Sequence, residues 1–114
     1  MSLEDDLLSH ATKFTFYPKG APGLNPLSDI YLFGISVEWR GSDMWAVTQM
    51  SSCFRKDGHK TYEPLPSSRT ERFIKAYRFS RDEAVRIATK FVDRQTINGR
   101  TYAQWQQFHQ RSAS

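Results

Sequence analysis

One cysteine in 114 residues, Cys53, excludes an internal disulfide, and with it the stapled scaffolds of small secreted domains. No apolar run approaches the roughly 20 residues that a membrane-spanning helix needs. The stretch from Met1 to Phe14 is acidic and has neither the basic leader nor the apolar segment of an export signal. The expectation is a cytoplasmic protein with no membrane contact. Also missing are a glycine-rich phosphate loop, a dinucleotide fingerprint, a nucleophile elbow and any internal repeat. His10, His59 and His109 are scattered and Cys53 has no cysteine partner, so the spacing of a zinc site is absent. The reading is therefore no metal, no cofactor and no catalytic residue. Cys53 with His59 would be a thiolate and its base, but a lone cysteine in an apolar strand is more often a small core residue.

What the chain does have is enough apolar material for one core. At 39% hydrophobic, 14% aromatic and 25% charged, 114 residues read as a single globular domain spanning 1–114. Charge is unevenly spread. Residues 1–43 carry three cations against six acids, whereas residues 68–114 carry ten Lys or Arg against four acids, an excess of six. A basic C-terminal half permits contact with an anionic partner, although charged helical faces usually just meet water.

Periodicity divides the chain into strands, then helices. Residues 2–14 have weak helical spacing, with Leu7, Leu8, Ala11 and Phe14 on one side. Three prolines and two glycines make 15–29 a loop. Strict alternation places Tyr31, Phe33, Ile35, Val37 and Trp39 on one face of a strand at about 30–40. A second strand runs over about 44–55, and Asp57-Gly58 turns the chain into a third at about 59–64. Helices follow at about 69–77, capped by Ser67 or Ser68; at about 81–94, opened by the Ser80/Glu83 capping box; and at about 101–111, capped by Thr101. Residues 112–114 read as a disordered tail. The expected class is α+β, a three-stranded antiparallel meander packed by C-terminal helices.

Two groups of cations are candidate binding residues. In "YEPLPSSRTERF", residues 62–73, Arg69 and Arg72 stand beside an expected serine-capped helix start, a setting that suits a phosphate or carboxylate. Turn and capping chemistry alone also accounts for that stretch. Arg81, Arg86, Lys90, Arg94 and Arg100 form a row that can join Arg69 and Arg72 in one basic face. Its partner would be a protein or a nucleic acid. Nucleic acid is favoured by exposed aromatics for base stacking, whereas Trp39, Trp45, Tyr77 and Trp105 fall at core positions by periodicity.

The runs "WAV", the cysteine, "DG", "YEPLPSSRTERF", "RFSRDEAVRIA" and "INGRT" resemble those of small proteins of no established activity encoded by bacteriophages of actinobacteria. The likeness covers about residues 44–104. It implies a viral product acting in the cytoplasm of an infected bacterium, and it brings no catalytic residues. The expected function is a small non-enzymatic accessory protein that contacts a host macromolecule, most readily a host protein, with direct nucleic-acid binding as the alternative.

Overall fold

A computed structural model describes residues 10–18, 33–97, 99–104 and 107. Its order of elements is β1 (Lys13–Phe16), β2 (Ile35–Trp39), β3 (Trp45–Gln49), β4 (Ser52–Phe54), β5 (Lys60–Tyr62), a 3-10 turn (Pro66–Ser68), α1 (Glu71–Tyr77), α2 (Arg81–Phe91), a second 3-10 turn (Val92–Arg94), β6 (Thr96–Ile97) and β7 (Arg100–Thr101). The α+β class holds. The sheet is wider than a three-stranded meander: β1 to β5 pair antiparallel in sequence order.

Both extra strands have local causes. "KFTF" alternates, and its cross-strand partners suit it. Lys13 faces Glu38 and Thr15 faces Ser36, whose hydroxyls are 2.9 Å apart. This replaces the end of the expected N-terminal helix, whose residues 2–9 lie outside the described residues, as does most of the 15–29 loop. The expected strand over 44–55 is two strands, because the chain reverses at Met50 and Ser51, with Met50 at φ 55°. A methionine in the left-handed region is uncommon, and the turn carries no glycine or asparagine to announce it.

Register then sorts the side chains. Phe14, Phe16, Ile35, Val37, Val47 and Phe54 share one face, and Ala84, Ile87 and Ala88 of α2, with Val92, pack against it. Phe33, Ile35 and Val37 are buried as the alternation requires, but Trp39 at the strand's end is 47% exposed. Its indole N–H is satisfied by the Ser42 carbonyl at 2.8 Å, so the ring needs no core position. The outward edge of Trp45 in β3 is filled by Phe79, with reciprocal backbone hydrogen bonds of 2.8 and 2.9 Å that pin the link between α1 and α2 to the sheet.

The helix starts follow from small side chains. The Ser80 hydroxyl accepts the Glu83 N–H at 3.2 Å at the head of α2. Ser80→Ala leaves that donor unpaired and costs about 1 kcal/mol, while Arg86→Ala on the exposed side costs within about 0.5 kcal/mol; urea melts of the two variants separate them. For α1 the cap is Thr70, whose hydroxyl accepts the Phe73 N–H at 3.1 Å, instead of Ser67 or Ser68. Pro66 draws those serines into the 3-10 turn. Thr101 and Gln104 cap each other reciprocally, at 2.9 and 3.3 Å, where residues 102–104 begin a helical turn; residues 105, 106 and 108–111 of the expected last helix, Trp105 among them, lie outside the described residues. β6 and β7 pair antiparallel, and Gly99 between them sits at φ 78°.

Gly58, in the turn between β4 and β5, sits at φ 90°, and a Cβ there would lie 2.7 Å from the Phe91 ring. Gly58→Ala therefore meets both a disfavoured backbone and a clash. A loss of roughly 2–3 kcal/mol is expected from the two together. Phe91→Leu in the same chain should return part of it in a double-mutant cycle, since only the clash is relieved.

Candidate functional site

Behind the apolar face, the same register puts Thr15, Ser36, Glu38, Ala46, Thr48, Cys53 and Thr61 on the second face of the sheet. Ala46, Thr48 and Cys53 are buried there. Glu63, one alternation beyond Thr61, extends the ladder by donating its N–H to the Ser51 carbonyl at 3.0 Å. Three guanidinium groups converge on it. Arg40 donates to both oxygens, Nη2 to Oε1 at 2.9 Å and Nε to Oε2 at 3.3 Å. Arg78 donates from Nη2 to Oε2 at 2.7 Å. Arg69 stands at 3.8 Å from Oε1 and spends its Nε–H on the Pro64 carbonyl at 2.9 Å. Glu38 adds a second acid, 3.7 Å from Arg40 Nη2, and accepts the Thr48 hydroxyl.

The cluster is built by chain reversal. Pro64 and Pro66 end β5 and fold the chain so that Arg69 looks back at the residue before the first proline. Arg78 arrives from the residue after α1, held by the Phe79 bridge. Its side chain is 4% exposed and that of Glu63 is 13% exposed. Ionised groups this enclosed remain because each finds an opposite charge and hydrogen bonds. Burial pushes the Glu63 carboxyl up, yet the Arg40 hydrogen bond and the guanidinium charges outweigh it and leave it below its ordinary value. Burial likewise lowers Arg78 against the pull of Glu63.

Beside this cluster, burial and then Glu63 push the Cys53 thiol up to about 11. A thiol so protonated is no nucleophile at neutral pH, while His59 is exposed in the turn between β4 and β5. Iodoacetamide at pH 8 should leave folded Cys53 unmodified and label it at once in 6 M guanidinium chloride, as mass spectrometry would show. Because its folded value lies above the unfolded one, the thiol stabilises the fold below its ordinary range, and that contribution is lost as pH rises toward 11.

The seven cations expected to bind a partner fall in different settings. Arg69 belongs to the cluster. Arg72 is exposed on α1 and forms no ion pair with a described residue, so the two arginines of the "YEPLPSSRTERF" stretch serve separate surroundings. Arg81, Arg86, Lys90 and Arg94 are exposed, and none forms an ion pair with a described residue. Helix geometry separates Arg81 from Arg86 by about 140° around α2 and aligns Arg86 with Lys90 to within about 40°. Lys90 and Arg94 both lie over the Phe91 ring, 5.3 and 5.6 Å from its centre. Arg100 is on β7 and has interactions of its own. Sequence reasoning missed Arg40, Glu63 and Arg78. A signal existed for Arg78, since a cation between Tyr77 and Phe79 is flanked by residues that seek the core.

Among the described residues no group of three or more His, Cys, Asp or Glu is placed to hold a metal, and no helix is long and apolar enough to cross a membrane. No protein-family model, curated protein or solved structure matches the chain.

Proposed function

We propose that this is a non-enzymatic binding protein whose contact surface is the side of α2 and its 3-10 extension that carries Arg86, Lys90 and Arg94, and whose partner is an acidic surface of a host protein. One observation carries this reading: the three cations are exposed and form no ion pair with a described residue, while Arg40 and Arg78 of the second sheet face are taken up by Glu63. Cations without an ion-pair partner keep their charge for a ligand and steer its approach. In this reading the buried thiol and the carboxylates of Glu38 and Glu63 serve the fold.

Nucleic acid is the second reading, favoured by the excess of cations over acids in residues 68–114. Single strands would also need stacking platforms. The exposed aromatics Trp39 and Tyr62 belong to the sheet, however, and Phe91 already lies under Lys90 and Arg94. The resemblance to actinobacteriophage proteins supports action in the cytoplasm of an infected bacterium. Affinity capture from host lysate, with and without nuclease, tests the pair. An acidic protein retained after nuclease is the expected result; recovery of nucleic acid, lost with nuclease, would replace the first reading by the second.

A further inference from the structure

We infer that Arg69 is the receptor for a small oxyanion, a phosphate or carboxylate group, docked at the mouth of the Glu63 cluster. The cluster has more cations than its two carboxylates need. Glu63 accepts hydrogen bonds from Arg40 and Arg78 on its two oxygens, at 2.7 to 3.3 Å. Arg69 Nη2, at 3.8 Å, is an electrostatic neighbour beyond hydrogen-bond reach. Counting Glu38 and Lys13, which lies 3.8 Å from it, four cations face two carboxylates, so positive charge is left uncompensated.

Arg69 is also held in the posture of a receptor. Its Nε–H is fixed on the Pro64 carbonyl, and its side chain is 18% exposed. Neither Nη1 nor Nη2 makes a hydrogen bond with a described residue, and no buried side-chain nitrogen or oxygen among the described residues lacks a partner, so these two nitrogens reach solvent. An anchored guanidinium whose terminal nitrogens make no hydrogen bond keeps donors for a ligand's oxygens, and less rotamer freedom is lost on binding because the stem is already ordered. Glu63 does not repel such a ligand strongly, because Arg40 and Arg78 already neutralise it. Arg72 and α2 take no part, so this site stands whether or not the α2 face binds a protein.

Thermal melts and calorimetric titrations of the full chain with inorganic phosphate, and separately with acetate, at ionic strength held constant with sodium chloride, test the site. Wild type should bind at least one of the two anions and melt higher in its presence; acetate alone identifies a carboxylate ligand, phosphate alone a phosphate. Arg69→Gln should weaken binding by about tenfold or more, the worth of one charge-assisted hydrogen bond. Arg72→Gln should bind as wild type does. If Arg69→Gln does not fold, Arg69→Lys, which keeps the charge but not the fork, should fold and bind more weakly than wild type. Absence of binding by wild type, or equal binding by wild type and the folded Arg69 variant, would overturn the inference.

Discussion

Glu63→Ala should lose roughly 3–5 kcal/mol in urea unfolding, the largest effect of any polar substitution in this fold. Removing the carboxylate leaves Arg40, Arg69 and Arg78 facing one another, and Arg78 is too enclosed to recover its hydration. Glu63→Gln keeps the shape and one acceptor, so it should lose less. The same carboxylate makes stability depend on pH. Its folded value lies below the unfolded one, so its contribution is present above the unfolded value, about pH 4.5, and is lost as pH falls through the folded value. Glu63→Gln should flatten the acid limb of a stability profile measured between pH 5 and pH 2. A Glu63→Gln profile parallel to wild type would show that the cluster does not stabilise the fold.

Ile35→Asp should be of similar size or should abolish folding. Ile35 is fully buried between β1 and β3 on the face that meets Ala84, Ile87 and Ala88. The substitution removes apolar contacts and buries an acid without a partner, which together cost several kcal/mol. Ser36→Asp, one residue along on the half-buried second face, should be far milder, because alternation sends it toward Thr15 and Glu38 rather than into the core. Similar melting temperatures for the two variants would contradict the register of β2.

How much of this was legible in the sequence differs from element to element. Alternation identifies the core face of β2, and Ser80 marks the head of α2, because both signals lie within a few residues of what they specify. The turn at Met50-Ser51 lacks the residues that usually adopt positive φ, so one apolar run conceals two strands. "KFTF" is too short to outweigh the helical spacing before it, and its strand is settled by Glu38 and Ser36, more than twenty residues away. The Glu63 cluster is the least legible feature. Arg40 is 23 residues from Glu63 and Arg78 is 15, and Arg40 and Glu63 each read alone as a surface charge. Only the sheet and the proline-directed reversal after β5 bring them together.

The proposed division of the cations, one set holding the fold and the other facing a partner, is tested most directly by the triple variant Arg86→Gln/Lys90→Gln/Arg94→Gln, compared with wild type by affinity capture from bacterial lysate and by thermal melting. The expected result is loss of the captured acidic protein, with the melting temperature changed by no more than a few degrees, since exposed substitutions away from caps and cores matter within about 0.5 kcal/mol each. Undiminished capture of the same protein by a folded triple variant would contradict it and move the contact surface off α2.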